Sequence, residues 1–292
     1  MLRLFTITAI ALLAPVSYAQ DKAAPSIPPG VRYEKDIEFG RGGETPLLLD
    51  IARPENAAKP APCIVVIHGG GWRGGNFKQH VPQILAFAKQ GYVSATVQYR
   101  LVPKGRFPAQ IEDVKCAVRY LRANADKYGL DKARIGAIGF SAGAHLSMLL
   151  GVMDEKDGLE GSGGHAGQSS KVQAVVSYFG PTDLAQKDFP ANVNGMIYDL
   201  LAGTPEDKPD VFKTASPITY VDKNDAPMLL YQGTKDVLVP HSQATLMADA
   251  MTKAGLGGRI ELLLGANHGW GPPELDRTVQ GSLAFFAEYL KK

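Results

Sequence analysis

Ser141 lies in Gly139-Phe140-Ser141-Ala142-Gly143, a G-x-S-x-G pentapeptide. The apolar run "RIGAIGF" leads into it and "AGAHLSMLL" leads out. The serine therefore falls at a strand-to-helix turn, the context in which this motif exposes a nucleophile. A sharp turn there lifts the hydroxyl above a sheet, at the positive end of a helix. A serine alone is a weak nucleophile. It needs a base, and the base needs a carboxylate to orient it. In sites of this kind the chain order is serine, acid, histidine. Asp236 in "LLYQGTKDVLVP" and His268 in "IELLLGANHGWG" each follow a strand-like run. Both are expected at the carboxyl edge of the sheet, with Ser141. The other candidates fit less well. His241 is only five residues after Asp236 and starts a helix. His145 lies one turn behind Ser141, where packing is the usual role. His165 is in a polar loop, and His80 is at a surface-type helix start. Asp222 and Asp225 precede their strand, and Asp183 comes one strand too early.

A second stretch, "IVVIHGGGWRGG", spells G-x-G-x-x-G through Gly69, Gly71 and Gly74. A dinucleotide site requires an acid about 20 residues further on, for the ribose hydroxyls. No Asp or Glu occurs between Glu55 and Glu112. No Lys-Ser or Lys-Thr follows the glycines, so a P-loop is excluded as well. The glycines suit a different anion. Without Cβ atoms, Gly70 and Gly71 can bring main-chain N–H groups close to a developing oxyanion, and the N–H of Ala142 completes the set. Each such donor is worth about 3–4 kcal/mol in a transition state. His68 precedes the serine and reads as a residue that ties this loop down.

Strand-like and helix-like segments alternate along the chain. Strands are expected at 45–54, 62–70, 92–101, 134–141, 172–180, 227–234 and 259–267. Helices are expected at 81–91, 108–129, 141–151, 242–255 and 274–290. In the helix over 108–129, Ile111, Val114, Val118 and Leu121 share one face. This alternation predicts an α/β fold with a mostly parallel sheet covered on both faces. Residues 154–171 are polar and rich in Gly and Ser, and read as a loop. Residues 181–226 hold several prolines and little periodicity. An insertion there, at a strand's carboxyl end, sits over the ligand crevice and reads as a small cap.

The chain has 292 residues, 45% of them hydrophobic, enough for one large domain over 20–292. Its 31 Lys and Arg against 29 Asp and Glu leave a formal charge of +2, with no basic run to suit a nucleic acid. Residues 1–19 carry Arg3, an apolar stretch from Leu4 to Val16, and Ser17-Tyr18-Ala19 as a small-x-small cleavage site. They read as a secretory signal peptide, too short for a comfortable membrane anchor. The mature chain is then periplasmic or secreted, with no membrane span. Cys63 and Cys116 are open to two readings in such a compartment, a disulfide or two separate buried thiols. Two cysteines without a histidine cluster make no metal site.

Five segments, "HGGGW", "GFSAGAH", "SYFGPTD", "GTKDVLVP" and "GANHGW", together resemble the α/β-hydrolase superfamily, and within it the bacterial BD-FAE-like esterases related to the hormone-sensitive-lipase-like group. The chain departs from the hormone-sensitive-lipase pattern by having Phe140 where that group usually has Asp, and by an N-terminal segment too short for that group's helical cap. The resemblance implies an α/β-hydrolase fold and a serine carboxylesterase that deacylates small esters, including acetyl or feruloyl esters of plant polysaccharides. Ser141, Asp236 and His268 would be its triad, and Gly70, Gly71 and Ala142 its oxyanion donors. Trp72, Tyr178, Phe179 and Trp270 adjoin these motifs and are expected to wall the substrate pocket. No cofactor is required. The expected partner is a small-molecule or oligosaccharide ester. The alternatives are an arylformamidase, a prolyl-oligopeptidase-type peptidase, or a binding protein that keeps the fold without catalysis.

Overall fold

The computed structural model describes residues 26–56 and 59–291. The expected signal peptide, 1–19, lies outside them. The strands are β1 (Val31–Gly42), β2 (Thr45–Pro54), β3 (Ala61–Ile67), β4 (Val93–Val97), β5 (Leu130–Phe140), β6 (Ala174–Tyr178), β7 (Met228–Gly233) and β8 (Gly258–Leu263). The helices are α1 (Val81–Lys89), α2 (Ala109–Ala123), α3 (Ala125–Tyr128), α4 (Ala142–Val152), α5 (Ala191–Leu201), α6 (Pro209–Ala215), α7 (Ser242–Ala254) and α8 (Glu274–Leu290). No described helix is long and apolar enough to cross a membrane.

The eight strands form one sheet in the order β1-β2-β4-β3-β5-β6-β7-β8. β2 pairs antiparallel with both β1 and β4, and the remaining pairs are parallel. The continuous apolar runs follow from burial on both faces. Along β3, Cys63, Val65 and Ile67 point into one core while Ile64 and Val66 point into the other. The first core is covered by α2, α4 and α7. The second is covered by α1, with Ile84 and Phe87, and by α8, with Phe285 and Phe286.

β3 and β5 are neighbours, yet the helices that follow them pack on opposite faces of the sheet. Their two loops therefore part above the carboxyl edge and leave a crevice, which is where open α/β sheets bind ligands. The glycine loop leaves β3, and the Ser141 turn leaves β5.

Three features depart from the expectations. β1 is an additional strand. Val31, Tyr33, Ile37 and Phe39 do alternate, but its register slips between Glu34 and Ile37, where Asp36 has φ 56°, and charges fill the gaps. The helix expected over 108–129 breaks at Asn124 into α2 and α3, and Gly129 closes it in the left-handed conformation at φ 67°. The insertion 181–226 contains α5, α6 and a 3-10 turn at Pro217–Tyr220. The question over the cysteines is answered as well: Cys63 and Cys116 are both free and buried.

Candidate active site

Ser141 has φ 53° and ψ −119°, between the end of β5 and the first residue of α4. A non-glycine residue in such a conformation costs on the order of 1–3 kcal/mol, and its surroundings must hold it there. They do. Ser141 N donates to Tyr178 O at 2.9 Å, and His145 N donates to Ser141 O at 3.1 Å. The flanking glycines permit the turn. A Cβ on Gly139 would lie 2.2 Å from Gly143 O, and one on Gly143 would lie 2.2 Å from Ile67 O. Helix α4 can start directly above β3 and β5 only because both positions lack side chains.

Asp236 and His268 meet in a hydrogen bond of 2.8 Å from His268 Nδ1 to Asp236 Oδ2. The Asp236 side chain is fully buried, and that of His268 is 17% exposed. Asp236 Oδ1 accepts from the N–H groups of Leu238 and Val239, each at 2.9 Å, and Oδ2 also accepts from Gln232 Nε2 at 2.9 Å. Burial raises the carboxyl pKa, but the bonds from His268, Val239 and Leu238 outweigh it and hold it below the ordinary value. The carboxylate can only accept, so Nδ1 carries a proton and Nε2 is left free to take one. Asn267 braces the pair: its Oδ1 accepts from His268 N at 2.8 Å and Val237 N at 3.2 Å. A Cβ on Gly233 would lie 2.4 Å from Asn267 O, so that glycine lets the two loops close on each other. Gln232, Gly233 and Asn267 escaped the sequence reading. Only the run of polar and small residues at two strand ends could have pointed to them.

Phe179 links the pair to the serine turn. Its ring centroid lies 4.5 Å from that of His268 and 6.3 Å from that of Phe140, the residue before Ser141. Trp270 stands 5.5 Å from Phe179, edge to face, and both are half-buried beside His268. The other two aromatic residues expected on a pocket wall are core residues instead. Tyr178 is 2% exposed, with its hydroxyl 2.9 Å from Ser282 Oγ, because its position in β6 points it under α8. Trp72 is 3% exposed and donates its indole N–H to His145.

Gly70 and Gly71 both have positive φ, 117° and 58°. A Cβ on Gly69 would lie 2.7 Å from Phe140 O and 3.3 Å from Ser141 Cβ, so the loop runs directly past the serine. Among the described residues, the N–H groups of Gly70, Gly71 and Ala142 donate to no other residue. His68 does tie the loop down. Its Nδ1–H donates to Gly69 O at 2.7 Å, its ring stacks on Tyr99 at 4.3 Å, and burial pushes its pKa down to about 4. His80 is not a surface residue. It stacks face to face on Phe140 with centroids 4.8 Å apart. A cavity of about 440 Å³ opens beside the glycine loop, lined by His68, Arg73, Tyr99, Arg100 and Lys104 among others.

A serine turn, a bonded histidine–carboxylate pair and free main-chain donors on one sheet edge are the parts of an acyl-transfer site. The BD-FAE family model matches residues 49–251. The chain belongs to the BD-FAE family. Esterase LipC of Mycobacterium tuberculosis is 32% identical to this BD-FAE protein over 265 residues, 87% of the chain. The chain spans 65% of that relative's length. Among solved structures, a truncated carbohydrate esterase from gut microbiota superposes with a TM-score of 0.77 at 29% identity, over 89% of this chain and 97% of its own. Thermogutta terrifontis esterase 2, phosphonylated by sarin, superposes at 0.77 with 27% identity, over 90% of this chain and 96% of its own. The α/β-hydrolase fold is therefore shared with esterases along nearly the whole chain.

Proposed function

We propose that this BD-FAE protein is a serine carboxylesterase with Ser141 as nucleophile, His268 as base and then acid, and Asp236 as the group that orients His268. The observation that supports this most is the 2.8 Å bond between His268 and the fully buried Asp236, made at the sheet edge where Ser141 turns outward. Ser141 Oγ attacks the ester carbonyl carbon while His268 Nε2 takes the hydroxyl proton. The carbonyl oxygen becomes an oxyanion held by the N–H groups of Gly70, Gly71 and Ala142. As the tetrahedral intermediate collapses, the C–O bond to the alcohol breaks and His268 returns the proton to the leaving oxygen. Water then adds to the acyl-serine with His268 as base again. The acid leaves, and Ser141 regains its proton. Phe179 and Trp270 flank the substrate beside His268.

The substrates proposed are small acyl esters, with acetyl or feruloyl esters of plant polysaccharides as the natural class. The resemblance to a gut carbohydrate esterase supports a carbohydrate as the alcohol portion. Residues 1–19 are proposed to direct export. Replacing Ser141 by Ala is expected to remove hydrolysis of p-nitrophenyl acetate and labelling by a fluorophosphonate, with circular dichroism unchanged. Turnover retained by this variant would overturn the assignment. Acetic and ferulic acid release from acylated xylan fragments tests the substrate class. Release of neither, with good turnover of simple esters, would remove the carbohydrate.

A further inference from the structure

His68 ties down the glycine loop at Gly69, but the residues that follow offer few side chains to anchor it. From Gly69 to Asn76, Trp72 is the one buried residue. Its backbone has φ 57°, and its N–H and side chain continue directly from Gly70 and Gly71. Trp72 O accepts from Val102 N at 2.9 Å, and the partner of the Trp72 indole adds a second hold on the stretch that carries the two glycines.

The indole is held by His145. Trp72 Nε1 lies 3.3 Å from His145 Nδ1, and the two rings meet edge to face at 5.2 Å and 87°. His145 is fully buried in the first turn of α4, and its N–H donates to Ser141 O. Its second ring nitrogen, Nε2, lies 2.7 Å from the carbonyl oxygen of Ala215, the last residue of α6 in the insertion. Hydrogen-bonding chemistry fixes the proton. An indole N–H can only donate, so Nδ1 must accept. A carbonyl can only accept, so Nε2 must carry the hydrogen. An imidazolium could not complete this relay. Burial pushes the His145 pKa down to about 4, so the ring stays neutral across the ordinary working range.

One residue thus joins three elements: its imidazole bridges the glycine loop and the insertion, and its backbone N–H bonds the serine turn. The insertion touches the same loop at two more points. Met196 of α5 packs so closely that a Cβ on Gly71 would lie 2.7 Å from its sulfur, and Asp199 of α5 is paired with Arg73. We propose that His145 is a positioning residue. Through Trp72 it holds Gly70 and Gly71 at the distance from the Ser141 turn that an oxyanion requires, and it makes that distance depend on the docking of α6. This rests on the assignment of Gly70, Gly71 and Ala142 as oxyanion donors. Such donors act only when placed within a few tenths of an ångström, and a shift of about 1 Å can cost about 100-fold in rate.

Steady-state kinetics on p-nitrophenyl acetate, with thermal melting of each protein, test the proposal. Trp72→Phe removes the indole N–H and is expected to lower kcat about tenfold. His145→Phe is expected to lower it about 10- to 100-fold, with KM within about threefold of the parent in both. His145→Gln can accept from the indole and donate to Ala215, and should recover kcat to within about fivefold. The double variant Trp72→Phe/His145→Phe should be no slower than His145→Phe, because both changes break one link. Folded single Phe variants with kcat within twofold of the parent would overturn the proposal. So would losses that simply multiply in the double variant. Should His145→Phe fail to fold, Trp72→Phe decides alone. Activity that survives Ser141→Ala would overturn the esterase reading itself. An inactive Ser141→Ala beside unaltered Trp72→Phe and His145→Phe removes only the positioning role.

Discussion

A Cβ on Gly70 would lie 2.3 Å from the carbonyl oxygen of Gly74, whereas a Cβ on Gly71 would meet only the flexible end of Met196. Both positions have positive φ, so alanine costs about 1–2 kcal/mol at either. Only at Gly70 is the obstacle main chain. Gly70→Ala is therefore expected to lower kcat about 100-fold or more, and Gly71→Ala less than about tenfold. Equal losses in the two kinetic measurements would contradict this difference. At this scale the sequence was informative wherever a residue type has one chemistry. Ser141, Asp236 and His268 could be selected by order and by their strand-end positions, and the last two are hydrogen-bonded. It was less informative for aromatic side chains. Trp72 and Tyr178 adjoin the motifs but are turned into the core, because position along a chain does not say which way a ring points. His145 looked like a packing residue and is one, yet both of its ring nitrogens are engaged.

The elements differ in what holds them. The 154–171 loop joins the end of α4 to the start of β6, at the amino edge of the sheet; Arg41 N donates to Gly163 O, Arg119 to Gly164 O and Arg122 to Lys171 O, and one carboxylate of the loop gathers three further bonds. Glu160 accepts from Lys115 at 2.8 Å, Arg119 at 2.6 Å and Ser170 at 2.9 Å, and the Lys115 side chain is fully buried. Removing that carboxylate leaves Lys115 charged and buried with only the carbonyl of Gly158. Breaking a fully buried pair costs about 3–5 kcal/mol. Glu160 is about a quarter exposed, so Glu160→Gln is expected to cost about 1–3 kcal/mol. Its kcat should stay within twofold of the parent, since the loop lies at the edge opposite Ser141. A melting temperature unchanged within a degree would contradict the fastening. The sequence showed this segment as a loop but not its anchor, since nothing in the order of residues ties Glu160 to Lys115 and Arg119, more than forty positions earlier. β1 was hidden because charged residues, Glu34, Lys35 and Asp36, fill the stretch between its apolar positions, where its register slips. The helices of the insertion were hidden by prolines, which break periodicity even where they begin a helix, as Pro209 does.

The whole molecule should be acid-sensitive in a defined window. Burial pushes His68 and His145 down to about 4, whereas in an unfolded chain each titrates near 6.5. Between those limits the unfolded chain binds protons that the folded one rejects, so stability falls as pH falls. Asp225, pushed up to about 6 by burial, and Asp113, also raised by burial, act in the opposite direction, against three histidines, since burial lowers His80 as well. The melting temperature is expected to drop steadily from pH 7 to pH 4.5, and a flat profile would contradict it. The alternation of strands and helices was legible at this scale because both faces of the sheet are covered and each central strand is apolar throughout. The Asp236–His268 bond has a further consequence, for the order of events during synthesis. His268 follows β8, the last strand of the sheet, and Asp236 follows the strand beside it. A chain emerging from a ribosome presents the Ser141 turn more than a hundred residues before its histidine. Until β8 docks on β7, the Asp236–His268 pair of the proposed triad cannot form. On the proposed assignment, a nascent or truncated chain lacking β8 would thus carry a shaped serine turn that is chemically silent, and hydrolysis would begin only when the last strand is in place.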